Sequence, residues 1–453
     1  MRDLVFIAYL AGLFALGFRR PFLFVLVYCY IDIVAPQRLT YYLLNSVPIS
    51  LIAVGLAVGA WLLTDDKRDT RVAPRQFLLL ALLGWCAWTT AHADFPVEAQ
   101  DKWEWVWKAL AFAIFLPLTL RTRLRIEALL LFMTLSAASI IIVGGIKTLA
   151  SGGGYGELNL MVTNNSGLYE SSTIATVAIA IVPVILWLAR HQTILPRSRK
   201  VTPFAAALVL ACLLIPIGTS ARTGLLCIGL LAILVLRDVK RRLLYVGMLA
   251  GGAAIAVPLL PSSYTERMDT IRTYQGDASA STRLAVWKWT WEFVQDRPLG
   301  GGFEAYRQNR IRYDTISETG VAGNETVERT LQVDKSRAYH SGYFEMLGEQ
   351  GWPGLILWLA INLGGIVRME VLRRRYRAAK HADETWIAPL AGALQHAHLI
   401  YMLGAAFVGI AFQPFIFMLV GTQIGFDTYV GRRRAERGWR PIARRRPALP
   451  LPA

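Results

Sequence analysis

Long apolar runs alternate with short charged segments along almost the whole chain. Most runs are about 16–22 residues long, which is the length that a helix needs to cross the hydrocarbon core of a bilayer. We therefore predict an all-α, polytopic helical membrane protein with about 12–13 transmembrane helices. The first two runs are short and also fit a hairpin that only dips into the bilayer. The predicted spans are residues 4–18, 22–34, 47–63, 77–91, 105–120, 126–149, 172–189, 201–218, 223–236, 243–260, 352–368, 386–409 and 412–430.

Basic residues gather in short clusters between the apolar runs. The chain carries a net charge of +17, and 55% of its residues are hydrophobic. Clusters of Lys and Arg beside membrane spans are typical of cytoplasmic loops, so the basic tail after residue 431 is predicted to be cytoplasmic. A soluble globular fold is excluded by this pattern. Nucleic-acid binding is disfavoured, because no basic soluble domain with interleaved aromatic residues is present.

Two polar segments are predicted to lie on the opposite, external side. Residues 151–171 are rich in Gly, Asn and Ser, and residues 261–351 form one large external loop. Within the large loop, an amphipathic interfacial helix is predicted, with its apolar face formed by Leu284, Trp287, Trp291 and Val294. The predicted organisation is an N-terminal transmembrane region (1–200), a first membrane core (201–260), the large loop (261–351), C-terminal helices (352–431) and a basic tail (432–453).

A polar helix led by His340 ends the large loop. His340 and Ser341 are followed, after nine residues, by Gly351 and then by Gly354 at the opening of the next span. Glu345 and Glu349 fall on the opposite flank of this helix and are expected to be solvated. A histidine at the membrane edge with arginines on the same side indicates chemistry on an anionic lipid head group.

Other polar residues within the apolar runs are expected to have structural roles. The four cysteines lie inside apolar runs without metal-ligand spacing and are expected to pack. His396 and His398 lie in mid-span, where hydrogen bonds between helices are favoured over a proton or substrate path. Asp32 receives no role. No clustered carboxylates are available to hold a metal, so no metal and no cofactor are predicted.

The His340 segment resembles the signature loop of bacterial O-antigen ligases and related O-glycosylation ligases. That pattern, His-(Ser/Asn/Gln)-x9-Gly-x-x-(Gly/Thr/Tyr), is matched completely by residues 340–354. Residues 218–224, 281–287 and 297–303 resemble further family segments. The chain looks most similar to the exosortase-associated branch of these ligases, on the evidence of residues 35–40, 261–268 and 301–306. One departure is Thr163-Asn-Asn, where relatives tend to have Asp-Asn-Asn.

The resemblance implies a membrane glycosyltransferase. It would transfer a glycan from an undecaprenyl-diphosphate carrier to a hydroxyl acceptor, either a protein or lipid A core, at the periplasmic face of the bacterial inner membrane. His340 suits a general base for the acceptor hydroxyl, and Arg222 and Arg283 suit ligands of the diphosphate. Ser341, Gly351 and Gly354 are motif residues with structural roles.

Two other functions remain open at this point. An O-antigen or exopolysaccharide polymerase would use the same lipid-linked donor, with a growing lipid-linked chain as acceptor. A polysaccharide transporter or flippase would need charged residues along several spans and broken helices. Intramembrane charges are few here, which favours the ligase over the transporter.

Overall fold

The chain is described from a computed structural model. The structure describes residues 2–438 apart from 41–42, 45–46, 68–69, 152–167, 196–197, 240, 257–277, 320–325, 380 and 382. Residues 261–268, on which part of the family resemblance rests, lie outside the described residues, as do the Thr163-Asn-Asn sequence, which departs from the family, and the tail beyond residue 438.

Helices make up nearly all of the described chain, as the apolar pattern predicts. Eleven precede the large loop: α1 (Arg2–Arg19), α2 (Phe22–Val34), α3 (Pro36–Leu39), α4 (Ile49–Thr64), α5 (Pro74–Ala91), α6 (Pro96–Thr119), α7 (Arg123–Ser151), α8 (Ser171–His191), α9 (Val201–Gly218), α10 (Arg222–Asp238) and α11 (Arg242–Ala256). Within and after the loop follow α12 (Ala278–Asp296), α13 (Gly342–Tyr376), α14 (Ile387–Ala405) and α15 (Pro414–Gly438).

The all-α membrane fold is confirmed. Every predicted span overlaps a helix, although the span predicted over 386–409 ends as a helix at Ala405 and the last span begins as a helix only at Pro414. Among those residues, four helices are long and apolar enough to cross a membrane by length and composition, namely α7, α8, α9 and α13. Helices α2 and α4 are apolar but shorter.

The large loop contains a β-hairpin that the sequence did not predict. Strand β1 (Arg310–Thr319) pairs antiparallel with β2 (Thr326–Lys335), from Arg310 opposite Lys335 to Thr319 opposite Thr326. Its composition gives no clear alternation of apolar and polar residues, so hydropathy alone did not separate it from a polar loop. The hairpin base rests on α12.

Helix α12 exists where it was predicted, and it has a buried face that the sequence did not indicate. Leu284 and Trp291 of the predicted apolar face are exposed, by 56% and 52%, as a face against a bilayer would be, and the interfacial role of this face stays a prediction. The buried side follows an every-fourth-residue line and consists of Thr282, Val286, Thr290 and Val294. Thr290 can be buried because its hydroxyl donates to the Val286 carbonyl at 2.8 Å, which hydropathy patterns do not register.

Candidate active site

A sharp break at Gly351 divides α13 into a short helix led by His340 and a long apolar helix. Gly351 has φ +63° and ψ −167°, which a residue with a side chain rarely adopts. An added Cβ there would overlap the Pro298 carbonyl oxygen and the Leu299 carbonyl carbon. The glycine that the family motif specifies is thus required by the backbone, and Pro353 follows in the first turn after the break.

The carbonyls that lose their helical partners at this break are satisfied by residues distant in sequence. Gly301 N–H donates to the Gly348 carbonyl at 3.0 Å, and Gly302 N–H donates to the Glu349 carbonyl at 2.9 Å. Trp85 Nε1 donates to the Gln350 carbonyl at 2.8 Å. The break is therefore a built joint, and its hydrogen bonds come from two other parts of the chain.

The second half of this joint is the turn that follows α12. Trp352 N–H donates to the Pro298 carbonyl at 3.0 Å, so the turn and the break bond each other in both directions. Gly300 has φ +81°, and an added Cβ would lie 2.5 Å from the Gly351 nitrogen. Gly354 packs one turn further on, where an added Cβ would overlap the Gln350 side chain. These contacts show why a side chain does not fit at Gly351 or Gly354, and the motif roles of both glycines stay predictions.

The short helix is held on three sides. Tyr343 donates through its hydroxyl to the Met402 carbonyl of α14 at 3.1 Å. Phe344 stacks on Trp287 of α12, with ring centroids 5.0 Å apart and planes 7° from parallel. Ser341 is buried and begins the helix, and its carbonyl accepts from Glu345 N–H at 2.8 Å. The residues after His340 are therefore fixed relative to two other helices.

Glu345 and Glu349 are buried in an ion cluster, so the expectation that they are solvated is wrong. Lys102 of α6 lies 2.8 Å from Glu345 Oε1 and 2.9 Å from Glu349 Oε1. Glu345 also accepts from Ala411 N–H at 3.0 Å, and Glu349 from Glu304 N–H at 3.1 Å. Because α6 is more than 200 residues distant in sequence, the sequence pattern gave no sign of this partner. The cluster ties the third side of the short helix to α6.

His340 itself has a left-handed backbone conformation, with φ +48°. Such a conformation costs free energy in a non-glycine residue and persists only where neighbouring contacts hold it. One such contact is the hydrogen bond from Trp287 Nε1 to the Tyr339 carbonyl, at 2.8 Å, directly before His340. The backbone that presents His340 is thus fixed by α12.

The surroundings of His340 favour its neutral form. The side chain reaches solvent, yet nearby protein removes part of its hydration, and this desolvation is the main cause that lowers the pKa of His340 below its usual value. The positive charges of Arg283 and Arg337 lower the pKa further, and the negative charge of Glu170 opposes them. A neutral imidazole at neutral pH can accept a proton.

The structure brings Arg283 and Glu170 into the electrostatic environment of His340. Arg283 lies one helical turn before Trp287, which contacts the segment that carries His340. Glu170 caps α8 by accepting from Thr173 N–H at 2.6 Å. Sequence reasoning missed Glu170, since a carboxylate before a helix is most often only a cap.

Arg222 begins α10 and is linked to the same region through α8. An added Cβ at Gly224 would lie 3.0 Å from the Ala175 Cβ, so the first turn of α10 packs against the first turns of α8. Glu170 precedes α8 by one residue. Arg222 therefore starts from the same end of α8 as Glu170, while its approach to His340 itself stays a prediction.

His396 and His398 make the hydrogen bonds between helices that were favoured for them. His398 is fully buried and lies 2.9 Å from Asn362 Oδ1 of α13 and 3.0 Å from Gln423 Nε2 of α15. His396 Nε2 lies 2.8 Å from the Arg237 guanidinium. Both histidines therefore link helices, and neither belongs to the His340 site.

Two family models match the chain. Residues 206–359 match the model described as O-antigen ligase, and residues 1–193 match one described as a family of unknown function (DUF5935). No curated protein matches the chain. The first of these segments contains Arg222, Arg283, His340, Gly351 and Gly354, whereas Lys102 lies in the second.

Proposed function

We propose that the chain is a glycan ligase. It belongs to the O-antigen ligase superfamily, and this membership supports a membrane enzyme of the glycan ligase or polymerase type. Its donor is a glycan on undecaprenyl diphosphate, and its acceptor is a hydroxyl group of a protein or of lipid A core, at the periplasmic face of the inner membrane. The observation that carries the proposal concerns His340. Desolvation and the charge of Arg283 lower its pKa, and α12 fixes its backbone.

In the proposed reaction, the acceptor hydroxyl oxygen attacks the anomeric carbon of the donor sugar. The bond from that carbon to the diphosphate oxygen breaks, and undecaprenyl diphosphate leaves with the electron pair. His340 takes the proton of the attacking hydroxyl, for which its neutral form is required. The hydroxyl thereby becomes a stronger nucleophile as the new glycosidic bond forms.

Arg222 and Arg283 are proposed to bind the diphosphate. A guanidinium stays charged and offers paired N–H donors that match phosphate oxygens, so it stabilises the negative charge that grows on the leaving group. No metal is needed in this scheme, because the arginines supply the positive charge. The positive charge of Arg283 also lowers the pKa of His340, after desolvation as the main cause, so the residue proposed to bind the donor also favours the neutral form of the base.

The test for the base is transfer by His340→Gln and His340→Ala in membranes. Loss of a positioned base reduces rates by about 10²–10⁴-fold, so transfer should fall by that factor while binding of undecaprenyl diphosphate persists. Arg222→Lys and Arg283→Lys should instead weaken that binding, because lysine lacks the paired N–H donors of a guanidinium. His92→Gln is the matched control, since His92 is an exposed histidine directly after α5 whose Nδ1 lies 2.8 Å from the Trp88 carbonyl.

Deletion of the gene distinguishes a ligase from a polymerase. Cells without a ligase should accumulate long lipid-linked glycan and unmodified acceptor, whereas cells without a polymerase should accumulate single lipid-linked repeat units.

A His340→Gln chain that transfers at more than about a tenth of the parent rate contradicts the role of His340.

A further inference from the structure

A polar cavity of about 560 Å³ lies outside the site described above, between α2, α3, α6 and the start of α4. Its lining includes three carboxylates, Asp32, Asp101 and Glu104, and two basic residues, Arg38 and Lys108. Trp105 and Gln37 complete the polar and aromatic part of the wall. All of the lining except Pro414 falls within residues 1–193, the segment whose matching family has no assigned function.

Some groups in this cavity lack a partner among the described residues. The side-chain oxygen of Gln37 is buried and has no hydrogen-bond partner within the described structure. Asp101 and Glu104 are exposed, and neither forms an ion pair with any residue that the structure describes. A buried acceptor without a partner, beside two carboxylates without a cation partner, is typical of a site for a polar ligand.

The cavity and the ion cluster of the His340-led helix share α6. Asp101, Glu104, Trp105 and Lys108 follow a helical spacing along one face of α6, and Lys102 of the same helix binds the two carboxylates of the His340-led helix. A second link runs through the hydroxyl of Tyr169, which donates to the carbonyl of Val34, the residue before the cavity-lining Ala35. Tyr169 directly precedes Glu170, whose charge acts on His340.

We propose that this cavity binds hydroxyl-rich sugar residues of a glycan. Carboxylates accept hydrogen bonds from sugar hydroxyls, and Arg38, Lys108 and the Gln37 amide supply complementary donors and an acceptor. The face of Trp105 suits the C–H face of a sugar ring. This inference rests on the proposed function and assigns the glycan-binding part of that same reaction to the N-terminal region.

The charges of the lining exclude the diphosphate as the occupant. Three carboxylates face two basic side chains, so the cavity is not positive, and the carboxylates would repel a polyanion. A lipid tail is disfavoured because five ionisable groups would lose hydration against it. The sugars can belong to the donor beyond its diphosphate or to a glycan acceptor, and the chemistry of recognition is the same.

The test is the double variant Asp101→Asn/Glu104→Gln in the full chain, reconstituted in phospholipid vesicles. The donor is the lipid-linked glycan extracted from cells in which the gene is deleted, and undecaprenyl diphosphate without sugars serves as a binding probe. The KM for one glycan substrate should rise about tenfold or more, because each charge-assisted hydrogen bond contributes enough for roughly a tenfold change in affinity. Affinity for undecaprenyl diphosphate should stay within about twofold.

The two arms identify the source of the sugars. A higher KM for the lipid-linked donor places donor sugars in the cavity, and a higher KM for the acceptor places acceptor sugars there. Unchanged KM values for both substrates overturn the proposal. Loss of affinity for undecaprenyl diphosphate also overturns it, because the cavity would then serve the diphosphate.

A binding measurement separates this inference from the proposed function. Mild acid releases the glycan from its lipid, and binding of the free glycan to the purified chain is measured by saturation-transfer NMR. The parent and the control Glu292→Gln, an exposed carboxylate on α12, should bind it, and the double variant should not. If the glycan binds the parent but no transfer occurs, the ligase proposal fails and the cavity assignment stands. Equal binding by parent and double variant, or by neither, overturns the cavity assignment.

Discussion

Replacement of Gly351 by alanine tests the joint that carries the His340-led helix. The backbone at this position, with φ +63° and ψ −167°, lies in a region that essentially only glycine adopts, and an alanine held there costs about 1–3 kcal/mol. The added Cβ also overlaps two backbone atoms of the turn after α12, which must move, and such overpacking costs typically about 1–3 kcal/mol. We therefore expect a destabilisation of about 2–6 kcal/mol, and the hydrogen bonds between the turn and the break should weaken as the turn moves.

The four cysteines provide the assay, because all of them are free and buried in the described structure. A thiol-reactive fluorogenic dye therefore reports unfolding of the detergent-purified chain on heating. Gly364→Ala is the matched control in the same helix, where the added Cβ would meet its nearest atom, Arg75 Cδ, at an ordinary 3.8 Å. Helix propensity predicts that this control is neutral or more stable by up to about 1 kcal/mol.

The expected result is a clearly lower unfolding temperature for Gly351→Ala and an unchanged or higher one for Gly364→Ala. Transfer by Gly351→Ala should also fall, because movement of the turn displaces the helix that His340 leads. If both variants unfold at the temperature of the parent, the break is not under the constraint described here, and the structural account of the motif glycine is refuted.

Three further predictions follow from the same region. Arg283→Gln removes a positive neighbour and should raise the pKa of His340, so the acidic limb of the pH–rate profile moves to higher pH; Glu170→Gln removes a negative neighbour and should move that limb to lower pH. Acidic limbs that move in the same direction in both variants contradict His340 as the base. Lys102→Met leaves two buried carboxylates without their cation and should destabilise the folded chain by about 3–5 kcal/mol, and by less at pH 5 than at pH 8. Dye-monitored unfolding measures this loss, and an equal loss of stability at both pH values contradicts the prediction. A cysteine placed at exposed Lys288 should react with a membrane-impermeant reagent added outside spheroplasts. A cysteine there that does not react contradicts the predicted external position of the large loop.

Hydropathy predicted most of the fold because helices in a membrane must satisfy their backbone groups internally. Each apolar run therefore reports a helix directly, and every predicted span overlaps a helix. The same reasoning does not extend to the external loop, where water satisfies the backbone and hydropathy carries less information. There the hairpin of β1 and β2 was missed, and the buried face of α12 with its two threonines was not predicted.

Motif spacing predicted candidate residues of the site, whose roles stay predictions, but not what surrounds them. Gly351 was expected to be structural, and its φ of +63° gives the reason. The partners of Glu345 and Glu349 could not be predicted, since Lys102 approaches them only after α6 packs beside the short helix. Assignment of the chain to the exosortase-associated branch stays a prediction.

The break at Gly351 has a geometric consequence for the choice of substrate. Gly342 to Gln350 spans about 14 Å at 1.5 Å per residue, and both ends of this stretch are anchored. It acts as a fixed spacer between the backbone of His340 and the start of the long apolar helix. In a lipid-linked donor, the bond to be cut lies at a constant distance from the lipid tail, whatever the number of sugars beyond it. In the proposed ligase, the base is therefore held at one distance from the start of the apolar helix, so short and long glycans would present the same bond to it.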